Sequence, residues 1–355
     1  MSHVQRLDAF QRRHPKLGLP LAVLYKFFDD QGGYLAALIT YYGFLSLFPL
    51  LLLLSTILNF ALSGNPHLQQ DVLKSALGQF PIVGNQLSDP HGVSGSGVAL
   101  AVGIIGTIYG GLGVANAAQN AMNVVWRVPR NSRPNPLKAR LRSIQLLLVV
   151  GLSVLGTTVL SALGTSAGAF GAGNLGTGIK VLFVALSMAV NAAVFTLGFR
   201  VATARDLTLR QTVPGAIAAA VAWQVLQSFG ATYVGSVVKH AKVTNSVFAL
   251  VLGLIGWIYL EAMVVVFAVE YNAVRALKLW PRALLTPFTD NVELTAADEA
   301  SYTAQARSQR SKGFEQISVT FDHSPDPGDD AIDATGVEPA DGPTAASTRS
   351  PDVDP

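Results

Sequence analysis

The chain contains no cysteine. That excludes disulfides, thiolate nucleophiles and cysteine-ligated metal sites. Charge is scarce as well: Asp, Glu, Lys and Arg make up 13% of the 355 residues, where a soluble domain carries roughly 25%. The scarcity is concentrated. No Asp, Glu, Lys or Arg occurs between Asp30 and Asp71, from Val93 to Trp126, from Ser143 to Ile179, from Val181 to Phe199, or from Gln211 to Val238. A sixth run, Val243 to Val274, contains only Glu261 and Glu270. A helix crossing the hydrocarbon core needs about 20 apolar residues, and each run can supply them. The first twenty residues are polar and basic and lack the apolar core of a cleavable signal peptide. The first run is therefore expected to act as the insertion signal.

What charge there is follows a pattern. From Thr286 onward there are fourteen acids and four bases; before it there are eight acids and twenty-one bases. The bases gather in alternate gaps between the runs. Arg6, Arg12, Arg13, Lys16 and Lys26 precede the first run, and Arg127, Arg130, Arg133, Lys138, Arg140 and Arg142 follow the second. Arg200, Arg205 and Arg210 follow the fourth; Arg275, Lys278 and Arg282 follow the sixth. The intervening gaps hold only Lys74, Lys180 and the discordant pair Lys239 and Lys242. By the positive-inside rule both termini lie in the cytoplasm. The reading is an all-α integral membrane protein, a bundle of six transmembrane helices with flanking amphipathic helices and a disordered C-terminal tail. It divides into a cytoplasmic segment 1–33, a membrane domain 34–274, a partly helical juxtamembrane segment 275–312 and an acidic tail 313–355.

Two flanking segments have helical periodicity. Leu21, Leu24, Tyr25 and Phe28 recur at i, i+3, i+4 and i+7 opposite Lys26, Asp29 and Asp30, which predicts an amphipathic helix on the inner membrane face. Gly32 and Gly33 then turn the chain into the bilayer. Leu68, Val72, Ala76 and Phe80 repeat on one side of Gln69, Gln70, Lys74 and Gln79 and predict a second interfacial helix or a short cap. Near the C-terminus, Thr295 three residues before Asp298 marks a helix start. Beyond Gly313 the chain is rich in Asp, Pro, Gly, Ser and Thr, a composition that does not support a packed core.

Polar groups inside the runs are the functional clue, because a charge near the bilayer centre costs at least ~2.5–3.5 kcal/mol on insertion scales. Glu261 lies well inside the sixth run, either as a proton-coupling or substrate-binding group or as a buried structural acid. Glu270, near its cytoplasmic end, reads as an interfacial carboxylate paired with an inner-face arginine, Arg127 or Arg200. Asn116, Gln119, Asn120 and Asn123 place four amides on one face of the second span. Gln224, Gln227 and Ser228 form a smaller stripe in the fifth, and Asn191 in the fourth can join them. These amides either line a substrate cavity with Glu261 or bond one helix to another. Gly106 and Gly110 form a small-xxx-small pair suited to close helix approach, with Gly103 and Gly113 nearby. Pro49 reads as a kink in the first span, and Pro214 as a first-turn proline of the fifth.

The segment Gly33-Tyr34-Leu35-Ala36-Ala37-Leu38-Ile39-Thr40-Tyr41-Tyr42, followed by Ser46-Leu47-Phe48-Pro49, resembles the opening motif of the YihY/BrkB family. Asn120 to Trp126 agrees, as do Pro214-Gly215-Ala216 with Trp223 and Tyr233. So do Gly256-Trp257-Ile258-Tyr259-Leu260 and Glu270-Tyr271-Asn272-Ala273. The resemblance covers about residues 20–280. It departs at Phe248-Ala249, where the family tends to have Tyr-Gly, and at Ala268, where a glycine is usual. Membership implies a bacterial inner-membrane protein of six spans, a transporter or lipid-handling protein of unassigned substrate. The family has also carried a ribonuclease label. The six histidines, His3, His14, His67, His91, His240 and His323, are scattered and offer no cluster for metal-assisted hydrolysis. The expectation is thus a non-enzymatic, multi-pass protein of the bacterial cytoplasmic membrane without cofactor. It is a transporter or lipid translocator or, alternatively, an envelope scaffold. Its expected partners are the bilayer, anionic headgroups at the inner face and another copy of the chain, not nucleic acid.

Overall fold

The computed structural model describes residues 3–13, 15–61, 97–169, 177–240, 246–289 and 292–321. Among them there is no β-strand. Two short helices lead, α1 (His3–Arg13) and α2 (Pro15–Asp29), followed by six long ones. These are α3 (Gly32–Ala61), α4 (Gly97–Val125), α5 (Pro136–Ala169), α6 (Thr177–Ala202), α7 (Leu209–His240) and α8 (Ser246–Leu277). A last helix, α9 (Ala296–Ser308), closes the described order. The six long helices coincide with the six charge-poor runs. By length and composition, Ala185–Ala202, Leu209–Gly230 and Val251–Leu277 are long and apolar enough to cross a membrane, and Gly32–Leu47 is a shorter apolar stretch. The second interfacial helix expected over 68–80 lies outside the described residues, as does the tail from 322 onward.

Consecutive long helices are neighbours, and α8 returns to α3, so the six form a closed ring in chain order. The broadest interface joins α3 to α4, and its geometry follows from the glycines. A methyl group on Gly106 would meet the Pro49 ring at 2.7 Å, one on Gly110 the Ser46 backbone at 2.6 Å, and one on Gly113 the Tyr42 ring at 2.2 Å. Three glycines in successive turns thus open a groove for the face of α3 that carries Tyr42, Ser46 and Pro49.

Among the side chains described, burial is concentrated at the basic-loop end of the ring. Leu35, Ala121, Met122, Val125, Trp126, Phe199, Ala219, Val266 and Val269 belong to one buried cluster there. Among the side chains described, those of residues 147–153 in α5, 185–195 in α6 and 221–229 in α7 are not buried. Of residues 251–256 in α8, only Leu254 is buried. Among the side chains described, the ring is packed shut at the basic-loop end and is looser toward the other, where Leu47 of α3 is still buried.

Pro214 lies in the second turn of α7, not the first, because the helix begins at Leu209. A proline there leaves the Arg210 carbonyl without its helical donor, and Arg275 Nη2 of α8 donates to that carbonyl instead. Asn272 completes the repair: its Oδ1 accepts from Gly215 N at 2.7 Å and its Nδ2 donates to Thr212 O at 2.9 Å. Gly215 is required here, since a Cβ would lie 2.4 Å from Asn272 Nδ2.

Three helices end at this same face on a non-glycine residue in the left-handed region: Gln31 (φ 54°) after α2, Arg127 (φ 53°) after α4 and Lys278 (φ 55°) after α8. At α4 the backbone closes with Arg127 N donating to Val124 O and Val128 N to Asn123 O, both at 2.9 Å. That is the bond pair of a Schellman cap, whose left-handed position glycine ordinarily fills. α9 starts where its sequence places it: Asp298 N donates to Thr295 Oγ1 at 3.2 Å and Thr295 N to Asp298 Oδ2 at 2.9 Å, a reciprocal capping box.

Candidate functional site

The amphipathic helix α2 has its polar face turned inward. Leu24 and Phe28 are exposed, whereas Lys26 is fully buried and Asp30 nearly so. Phe27 stacks on Phe267 of α8 at 4.1 Å between ring centres, pressing the two helices together. This contact carries Lys26 into the closed end of the ring. Its Nζ donates to Asp30 Oδ2 at 2.6 Å, to Glu270 Oε2 at 2.8 Å and to the Val125 carbonyl at 2.8 Å. All three ammonium protons are thereby used. Asp30 Oδ1 lies 2.5 Å from Arg127 Nη1. Two cations and two anions from α2, the end of α4 and α8 thus form one buried cluster.

Such a cluster is costly to bury and costlier to break, because an orphaned partner leaves a bare charge in a low dielectric. It explains why a left-handed position carries arginine: only a long side chain there reaches Asp30. The sequence signals were present but weak. Lys26 and Asp30 stand four apart, the spacing of an intrahelical ion pair, and Glu270 lies in the apolar run facing them.

A second charged cluster ties the segments outside the bundle to α2. Arg282, buried, donates through Nε to Asp298 Oδ1 and through Nη1 and Nη2 to Asp29 Oδ2, each of the latter at 3.1 Å. Its guanidinium carbon lies 5.3 Å from the Tyr302 ring centre. Burial lowers the Arg282 pKa, but Asp29 and Asp298 outweigh it, so the group is held above its ordinary value. Asp298 Oδ2 accepts from Ala283 N at 2.9 Å, and Asp8 Oδ1 of α1 from Leu284 N at 2.9 Å. The Tyr25 hydroxyl donates to Leu284 O at 2.7 Å. Asp29 and Asp30, adjacent in the chain, therefore anchor two different layers.

The amide stripe of α4 divides. Asn116 is exposed, and the other three amides bind backbone or loop. Gln119 Nε2 donates to Ser143 Oγ at 2.8 Å and to Ala139 O at 3.1 Å, fastening α5. Asn120 Oδ1 accepts from Arg133 Nη1 at 3.1 Å, and Asn123 Oδ1 from Ala204 N at 2.8 Å. Burial, and then the neighbouring Arg130 charge, hold the Arg133 pKa below its ordinary value. Glu261, nearly buried, accepts from Trp257 Nε1 at 2.8 Å, one helical turn away. Phe195 of α6 meets Trp223 of α7 edge-on at 5.9 Å. Asn191 and Gln227, both half-buried, lie one turn further along these two faces, toward the loose end. Gln224 is half-buried beside Trp223 in the chain and accepts from Ser228 Oγ through its backbone carbonyl at 2.8 Å. The structure thus places Glu270 against Lys26 and Arg127 against Asp30. Arg200 stands apart, donating to the Leu207 carbonyl at 3.0 Å.

The chain is 24% identical over 252 residues, 67% of its length and 88% of the relative's, to YfkH of Bacillus subtilis (strain 168), a protein described as ribonuclease-like. No solved structure matches it. The model of the family described as virulence factor BrkB matches residues 23–285. That stretch runs from within α2 to just past Arg282 and so contains the whole four-charge cluster. The family's description names a virulence factor and no enzymatic activity. The chain belongs to the BrkB family of membrane proteins.

Proposed function

We propose that this protein is a transporter or lipid translocator of the bacterial cytoplasmic membrane. In this reading six helices cross the bilayer, both termini are cytoplasmic, and the basic-loop end of the ring faces the cytoplasm. One observation carries the reading: among the described side chains, the ring is sealed at the basic-loop end by packing and paired charge and is looser toward the other. Glu261 sits one turn past Trp257 and Ile258, early in the buried stretch of α8, at the floor of the loosened part. Asn191, Gln224 and Gln227 are among the half-buried polar side chains toward the looser end. A substrate entering from the open end meets these groups first, and the seal below must yield for it to pass. Anionic headgroups are the lipid partners that the basic inner loops favour.

The test is reconstitution into liposomes with a panel of lipids and small metabolites, scored for transbilayer movement. Glu261→Gln preserves shape and removes the charge. It is expected to abolish movement of at least one compound that the unaltered protein transfers, while insertion and yield stay normal. Full transfer by Glu261→Gln sinks this cavity.

The second reading is an envelope scaffold or assembly protein. It draws on the amides of α4, since Gln119, Asn120 and Asn123 are engaged by structural partners. A scaffold would tolerate Glu261→Gln and would be impaired by removal of α2, which links both charged clusters. The ribonuclease-like description of the Bacillus subtilis relative suggests a third class. Among the described residues no three His, Asp or Glu side chains are grouped to hold a metal ion, and the reading adopted is non-enzymatic.

A further inference from the structure

The four-charge cluster is not closed on itself. Arg127 uses only Nη1, toward Asp30. Its Nε and Nη2 are buried and have no hydrogen-bond partner; in the same cluster the acceptors Asp30 Oδ1 and Glu270 Oε1 have none either. Nε and Nη2 form one complete side of the guanidinium, the fork that engages two oxygens of a carboxylate or phosphate at once. The residue is 9% exposed and its side chain 6%, so water outside the protein does not satisfy the fork. A buried donor without an acceptor destabilises the fold, more so when it is charged. Trp126 Nε1, the neighbouring side chain, is a further buried donor without an acceptor.

The charge balance points the same way. Within the cluster Lys26 and Arg127 cancel Asp30 and Glu270. Arg130 and Arg133 follow in the next turn of chain and add two positive charges, and no ion pair among the described residues includes either of them. Burial lowers the Arg133 pKa, and the neighbouring Arg130 charge lowers it further. The backbone argues independently that the side chain at 127 has a purpose. It occupies a left-handed cap position, φ 53°, where glycine would fit without strain. The Asp30 pair explains one edge of the guanidinium and leaves the other unexplained.

We propose that the Nε/Nη2 edge of Arg127 is an oxyanion-binding site, built to hold the phosphate group of a phosphoester at the closed end of the ring. The anion's source is either a phospholipid headgroup or a free phosphate. Two oxygens of the phosphate accept from the fork while Nη1 stays on Asp30. The ligand joins the loop after α4 to the α2–α8 junction through Arg127 and Asp30. The site stands on this geometry whether or not the bundle transports.

The experiment is native mass spectrometry of the full chain in neutral detergent. The probes are a short-chain phosphatidic acid, the diacylglycerol of the same chain length, and inorganic phosphate. Saturable binding of one phosphatidic acid per chain without diacylglycerol binding is the expected result. Arg127→Lys keeps the charge and the reach to Asp30 but loses the fork, and is expected to weaken binding about tenfold. Arg130→Gln, on an exposed side chain, is expected to change it by less than about threefold. Binding of inorganic phosphate with the same dependence on Arg127 assigns the site to free phosphate; phosphatidic acid alone assigns it to a headgroup. No saturable binding, or equal binding by Arg127→Lys, overturns the site. Should Arg127→Lys not accumulate, a cryo-EM map of the unaltered protein loaded with phosphatidic acid decides. Phosphate density at the Arg127 fork supports the site, and density of water size or none overturns it.

Discussion

Lys26 Nζ stands 2.8 Å from Glu270 Oε2, both side chains wholly buried. The pair fastens the helix before the first long apolar helix to the last one. Breaking a buried ion pair from one side costs about 3–5 kcal/mol, whereas replacing both partners by apolar groups costs far less. Lys26→Met strands Asp30 and Glu270 together and is expected to lower the melting temperature sharply in detergent. Lys26→Met with Glu270→Leu leaves Asp30 on Arg127 and should recover about 2–3 kcal/mol of that loss. Additive effects in this double-mutant cycle would show that the two residues are not coupled.

A steric test addresses the α3–α4 interface. In Gly110→Ala the new methyl meets backbone atoms of Ser46, at 2.6 Å from Cα, so no side-chain rotation relieves it. Forcing α3 away is expected to cost about 1–3 kcal/mol. Gly151 of α5 has nothing within 4 Å of a built Cβ, and Gly151→Ala should be neutral or stabilise by up to about 1 kcal/mol through helix propensity. Thermal unfolding of both variants checks the contrast, and equal behaviour would refute the close packing.

The proline repair in α7 yields a conditional outcome. Arg275 donates to the Arg210 carbonyl that Pro214 leaves free. Arg275→Gln should therefore destabilise the native background by about 1–2 kcal/mol. In a Pro214→Ala background the restored residue 214 N–H can satisfy Arg210 internally, and the same change should cost about half as much or less. Asn272→Leu should be harmful in either background, because Gly215 N and Thr212 O both lose their partner. Melting temperatures of the set distinguish a repair from an incidental contact.

The long helices were the most legible part of the chain, because six charge-poor runs each mark out one long helix in the structure. The capping box at Thr295 and the glycine groove of α4 were equally readable, since each is a local spacing with one physical use. Long-range pairings were not. Lys26 reads as the solvated face of an amphipathic helix, and its partner lies 244 positions further along the chain. Nothing in either local sequence says that α2 presents that face to α8. The amides of α4 failed as a group for a related reason. Periodicity puts Asn116, Gln119, Asn120 and Asn123 on one side, but it does not say whether a loop, a helix or a cavity lies opposite. Asn272 escaped notice because its role depends on a proline in another helix.

A pH dependence follows from Tyr25, which lies outside the long apolar helices. Burial pushes its phenol above the ordinary value of 10.0, with Arg282 opposing and Asp8 and Asp298 reinforcing the rise. The folded state therefore holds the phenolic proton more tightly than the unfolded state does. The stability this provides is fully present below about pH 10, and it is lost as pH rises through the folded value. The hydroxyl's bond to Leu284 O, 2.7 Å long, disappears in the same interval, since a phenolate cannot donate. Tyr25→Phe removes both effects. It should be somewhat less stable than the unaltered protein at pH 8, and its melting temperature should fall less between pH 9 and about pH 11. The two melting curves should converge as the pH climbs. Parallel decline of both proteins across that range would remove Tyr25 as the titrating group and place the alkaline sensitivity elsewhere.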